Sequence, residues 1–143
     1  MSHKVDYPLN KTQALNLLRQ HEILPTAQRI EIACLLFARK QHLSAEQIWI
    51  SVNRSSETVS KATVYNTLGL FVRKGLIQQV LIAPERVFYD SNLEPHHHAY
   101  NVDTGELSDV DAECISIQGS PPLAGNMLMD RIDLIFRVKN HSA

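Results

Sequence analysis

Four helix-sized amphipathic segments run straight into a β-hairpin within residues 1–89, and that order constrains the fold more than any other property of this 143-residue chain. Between Asn10 and Glu22, apolar side chains recur at Ala14, Leu15, Leu17 and Leu18, which is one face of a helix. Pro25 ends that segment, and Thr26 is placed to cap a second helix carrying Ile30, Ala33, Cys34, Leu36 and Phe37. Ser44-Ala45-Glu46-Gln47 has the form of a capping box, so a third helix starts there and carries Ile48, Trp49 and Val52. A polar loop over Asn53-Arg54-Ser55-Ser56-Glu57 leads to Ser60, the cap of a fourth helix with Val64, Leu68, Phe71 and Val72 on one stripe and Gly75 as its stop. Leu76 to Ile82 then reads as a strand, Ala83-Pro84-Glu85-Arg86 as a turn, and Val87-Phe88-Tyr89 as a return strand. Short helices closed by a hairpin form a winged helix-turn-helix.

The remainder has a different character. Asp90 to Pro95 reads as a hinge, and His98–Val102 and Glu106–Val110 as a second hairpin around Asp103-Thr104-Gly105. A loop with Pro121-Pro122 follows, and Arg131 to Lys139 alternates, with Ile132, Leu134, Phe136 and Val138 on one face. The expected class is α+β, with a winged helix over 1–89 and a small unit of three or four strands over 90–143. A unit of that size rarely buries enough apolar surface to stand alone, and pairing with a second copy is the simplest remedy.

Charge divides at the same place. Residues 1–89 hold eleven Lys/Arg against six Asp/Glu, and residues 90–143 hold three against nine. A basic half suits a polyanion, and an acidic, histidine-bearing half suits a cation. No apolar run nears the length needed to span a bilayer, and the polar start of the chain lacks a signal-peptide core, so a cytoplasmic protein is expected. Two cysteines, Cys34 and Cys114, can build neither a disulfide framework nor a four-thiolate zinc site.

Two clusters carry chemistry. On the exposed side of the fourth helix, Ser60, Lys61, Thr63, Tyr65, Asn66 and Thr67 offer groups that reach phosphates and base edges in a major groove. Arg73, Lys74 and Arg86, in the region of the wing, are expected to meet phosphates. Farther on, His96-His97-His98 stands between Asp90 and Asp109. On a strand, residues i and i+2 share a face, so His96 and His98 can grip one divalent ion together, with carboxylates completing the set. His97 points to the other face.

Taken in order, Leu24-Pro25-Thr26-Ala27-Gln28-Arg29, His42-Leu43-Ser44-Ala45-Glu46, Ala62-Thr63-Val64-Tyr65-Asn66-Thr67-Leu68 and His96-His97-His98 resemble the ferric uptake regulator family, over about residues 10–139. The segments Thr63–Leu68, Asp90–His98 and Ile132–Val138 are similar to the iron response regulator branch, and the carboxylate positions to the peroxide-sensing branch. The resemblance implies a winged-helix DNA-binding domain over 1–89 and a small C-terminal α/β metal-sensing and dimerisation domain over 90–143, in a homodimeric transcription regulator, a repressor, acting on inverted repeats in double-stranded DNA, with Arg29 joining the DNA-binding set. It implies a regulatory site of His42, Asp90, His96, His98 and Asp109 for Fe(II) or Mn(II), with Zn(II) as a surrogate, and His42 and His96 as the residues open to metal-catalysed oxidation. A haem-responsive or metal-independent regulator is the alternative, with His97 as a ligand for haem or a second ion. A small non-haem metalloenzyme is the remote one, because a jelly-roll barrel needs more chain than the acidic half provides.

Three departures from the family pattern bear on function. Leu24 stands where many members carry a basic residue, and Asn66 replaces a common arginine. Asn101 and Thr104 stand where a first pair of zinc cysteines is usual. A turn with Gly105 in the left-handed conformation is expected there instead.

Overall fold

A computed structural model describes residues 5–54 and 58–142, so part of the Asn53–Glu57 loop lies outside the described residues. The chain divides into two compact units, one ending at Leu93 and the other beginning at Glu94.

The first unit follows the order α1 (Lys11–Gln20), α2 (Ala27–Leu36), β1 (His42–Leu43), α3 (Ala45–Val52), α4 (Lys61–Arg73), β2 (Gln78–Ala83) and β3 (Arg86–Asp90). Each helix begins where a side chain takes over an orphaned N–H. Asn10 Oδ1 accepts from the Gln13 N–H at 2.8 Å, Thr26 Oγ1 from Arg29, Ser44 Oγ from Gln47 and Ser60 Oγ from Thr63. Asn10 and Ser44 form full capping boxes, with the Gln13 and Gln47 amides reaching back to the cap N–H groups. Gly75, at φ +75°, follows α4 and turns the chain out of it, a conformation that a Cβ would oppose. Leu18, Ile32, Leu36, Phe37, Ile48, Leu68 and Phe71 fill one core between the helices. The sheet order is β1-β3-β2, and the short β1, which the sequence reading missed, pairs antiparallel with β3. The return strand runs one residue beyond the Tyr89 expected, so Asp90 belongs to the ladder rather than to a hinge.

The second unit is a three-stranded sheet of order β5-β4-β6, with β4 (His96–Asn101), β5 (Leu107–Asp111) and β6 (Ile135–Val138). The β4–β5 hairpin turns at Gly105, whose φ of +76° bears out the left-handed turn expected. Asn101 Oδ1 accepts the N–H groups of Asp103 and Thr104 at 2.9 and 3.1 Å, so the side chain organises the turn that joins the strands. Its amide also donates to Asn140 Oδ1 at 2.9 Å, tying the turn to the chain just past β6.

One expectation needs correction here. The alternating stretch Arg131–Lys139 forms a strand only over Ile135–Val138, parallel to β4, and Phe136 and Val138 are exposed on it. Alternation reports a strand with one buried face, but only the residues that reach β4's free edge find hydrogen-bond partners. Among the described residues this unit carries a single 3₁₀ turn, at Ala112–Cys114, beside its strands. The α+β class, with the winged helix first, holds. No described helix is long and apolar enough to cross a membrane.

Candidate metal-binding and nucleic-acid-binding residues

In the first unit the β1–β3 register sets His42 beside Asp90, with Nε2 and Oδ2 3.8 Å apart. Asp90 is fully buried, and its Oδ1 accepts the Asn92 N–H at 2.8 Å. That bond makes a turn leading out of β3 and fixes the carboxylate's rotamer. A buried carboxylate costs free energy unless its oxygens are engaged, and the turn engages Oδ1.

In the second unit His96 and His98 lie on one face of β4, as the two-residue period requires. Their ring centroids are 4.6 Å apart at 67°. The hairpin register sets Asp109 opposite His98. Asp109 Oδ1 then lies 3.5 Å from His96 Nε2 and 3.8 Å from His98 Nε2. Two imidazole Nε2 atoms and a carboxylate oxygen thus face one another on neighbouring strands. This donor chemistry fits a first-row divalent ion. His97, on the opposite face, accepts the Leu134 N–H through Nδ1 at 3.3 Å, so its ring buttresses the approach to β6.

The DNA-facing candidates divide by position. Lys61, Tyr65 and Asn66 are exposed on the N-terminal half of α4, and Thr63 is half-buried beside its cap Ser60. Thr67, expected on the same face, is instead buried with Val64, Leu68 and Phe71, because it falls on the core stripe at helical spacing. Arg73 is the last residue of α4 and Lys74 its C-cap, so neither is on the hairpin. Arg73 lies about 18 Å along the axis from Lys61 at a helical rise of ~1.5 Å per residue. Arg86 is exposed at the tight turn of the β2–β3 wing. Arg29, half-buried on α2, donates through Nη1 to the Leu24 carbonyl at 2.9 Å.

Two groups elsewhere have shifted acidity. Burial pushes the Tyr89 hydroxyl above its ordinary range, and the neighbouring Tyr65 adds to the effect. Burial likewise raises the Cys34 thiol; Lys11 opposes the shift and Glu31 reinforces it.

Comparison with known proteins places these features. The chain is 27% identical over 97 residues to the peroxide-responsive repressor PerR of Staphylococcus aureus, a stretch covering 68% of this chain and 66%, just under two thirds, of that protein. Its fold matches the ferric uptake regulator of Pseudomonas aeruginosa, solved with manganese, at a TM-score of 0.68 and 24% identity, over 89% of this chain and 97% of that one. It also matches the ferric uptake regulator of Helicobacter pylori at a TM-score of 0.70 and 18% identity, over 95% and 96% of the two chains. At such identities the structural matches speak for the fold. The family model described as the ferric uptake regulator family matches residues 20–126, and the chain belongs to that family.

Proposed function

We propose that this chain is a cytoplasmic transcription regulator rather than an enzyme, a repressor that binds double-stranded DNA as a homodimer and whose affinity for DNA is set by Fe(II) or Mn(II). The observation that carries the reading is the convergence of His96, His98 and Asp109 on one face of the β4–β5 hairpin. His42 and Asp90 supply the rest of the ligand set. Three imidazoles and two carboxylates form a borderline-to-hard donor set that suits Fe(II) and Mn(II), and Zn(II) binds such sets by raw affinity. The ion supplies positive charge that neutralises the gathered carboxylates and favours one arrangement of its ligands over others. If that arrangement binds DNA better, the metal raises affinity by linkage.

The DNA half of the reading rests on α4. Its exposed N-terminal half carries Lys61, Tyr65 and Asn66, in a unit with an excess of basic side chains. Asn66 has the geometry to read adenine, and Tyr65 an apolar ring edge for a thymine methyl. The dimer half rests on apolar exposure. Ile117, Leu123, Met127, Leu128, Met129, Ile132, Phe136 and Val138 are all exposed in the second unit, which is more apolar surface than a small monomer keeps in water. Likeness to a peroxide-responsive repressor supports repression.

The deciding experiment is anaerobic fluorescence anisotropy on an AT-rich inverted repeat, titrating Mn(II) as a stand-in for Fe(II) that does not oxidise. Binding that requires the metal is expected. Tight binding by verified metal-free protein would refute metal gating and make haem the next ligand to test.

A further inference from the structure

The segment that delivers α4 is gripped by two side chains of α3. Trp49 and Asn53 are one helical turn apart, Asn53 being the C-cap. The Trp49 indole N–H donates to the Val59 carbonyl at 2.9 Å. The Asn53 amide donates to the same carbonyl at 3.0 Å and to the Trp49 carbonyl at 2.8 Å, while its Oδ1 accepts the Val59 N–H at 2.6 Å. Both main-chain polar groups of Val59 are therefore engaged by α3, and its side chain is buried in the core. Ser60, the cap of α4, comes next, and the residue after it is Lys61, whose Nζ lies 4.6 Å from the centroid of the Trp49 ring. Trp49 thus meets α4 twice, through its N–H before the cap and through its ring face after it.

The hydrogen bonds alone would serve the fold. The lysine over the indole does something the fold does not need, because Lys61 is exposed and water would solvate its ammonium in any rotamer. A cation held on a ring face loses rotamer freedom before it meets its target, and less freedom is then lost on binding. We propose that Trp49 and Asn53 are positioning residues for DNA reading. They fix where α4 begins and hold the Lys61 ammonium where a backbone phosphate takes it as α4 enters the major groove. This rests on the DNA-binding reading above, and it adds Trp49 and Asn53, which touch no DNA, to the residues that set affinity.

Trp49 is the chain's single tryptophan, so its emission reports this contact without a label. The test uses the full chain with Mn(II), a duplex selected from a randomised pool by the wild-type protein, and a mixed-sequence duplex as the non-specific probe. Lys61→Met should change Trp49 emission in the free protein and lower the slope of log affinity against log salt by about 0.9, the share of one phosphate contact. Trp49→Leu should weaken binding to the selected duplex several-fold, and this loss should shrink in the Lys61→Met background to the part carried by the N–H to Val59. If Trp49→Leu fails to fold by circular dichroism, Trp49→Phe takes its place: it keeps a ring face but loses the N–H to Val59, and should weaken selected-duplex binding more than non-specific binding. A salt slope unchanged by Lys61→Met, or Trp49 and Lys61 losses that simply add, would overturn the proposal while the regulator reading stands. Wild-type protein that binds neither duplex would overturn both.

Discussion

Asp90 joins the fold to the metal reading through separate oxygens of one carboxylate, and two substitutions separate the roles. Its Oδ1 takes the Asn92 N–H at 2.8 Å, and its Oδ2 faces the His42 imidazole at 3.8 Å. Asp90→Asn keeps the shape and the acceptor for the turn and removes the negative charge. The surviving bond to Asn92 falls from a charge-assisted one to a neutral one, a loss of about 1 kcal/mol that is partly offset because no charge is buried any longer. Metal-free stability should therefore change by less than about 1 kcal/mol. Asp90→Ala strands the Asn92 N–H in a buried setting as well, and should cost about 1–3 kcal/mol more. Metal binding ranks the variants differently. Both lose an anionic ligand, and a loss of at least tenfold in affinity, about 1.4 kcal/mol, is expected for each. The assay is urea denaturation with and without Mn(II), because a ligand at a hundred times its dissociation constant adds about 2.7 kcal/mol to stability. If Asp90→Asn keeps the full stabilisation by Mn(II), Asp90 is not a ligand. If the two variants are equally unstable without metal, the turn is not what Oδ1 supports.

Other expectations are simpler to check. Tyr65→Ala should weaken specific DNA binding more than non-specific binding in paired anisotropy titrations; an equal loss would leave Tyr65 a packing residue. Native alkylation should modify exposed Cys114 well before Cys34, whose thiol is half-buried and raised in pKa and so yields little thiolate, and mass spectrometry of timed samples would reveal any reversal. With only two cysteines the chain cannot form a four-thiolate zinc site, so chelator should leave the far-UV circular dichroism unchanged; unfolding would expose a structural metal site built from other ligands.

The parts of the fold that were legible in the sequence are those whose chemistry is local. Thr26, Ser44 and Ser60 mark helix starts because a side chain and an N–H three residues on make the bond by themselves. Counting outward from the turn at Gly105 also pairs His98 with Asp109, so half of the metal reading follows from one tight hairpin. What stayed hidden depends on distant partners. His42–Leu43 is a strand only because β3 lies beside it, and two residues carry no period. The exposed faces of Phe136 and Val138 look like core in the sequence because alternation cannot say which chain covers them. Trp49 and Asn53 left a faint signal, two hydrogen-bonding side chains at i and i+4, but their target lies across a loop of unrelated sequence.

The histidine run consists of three identical neighbours under two unrelated constraints. His96 and His98 answer to Asp109 on one side of β4, and His97 answers to a backbone N–H on the other. A triple-alanine variant would therefore remove a strand support along with the proposed metal donors, and its phenotype could not be attributed to either. Natural drift should respect the same division. Position 97 can accept any side chain that offers an acceptor to Leu134, whereas under the proposed metal reading positions 96 and 98 are confined to metal-binding side chains, so the apparent repeat is free to erode from its middle.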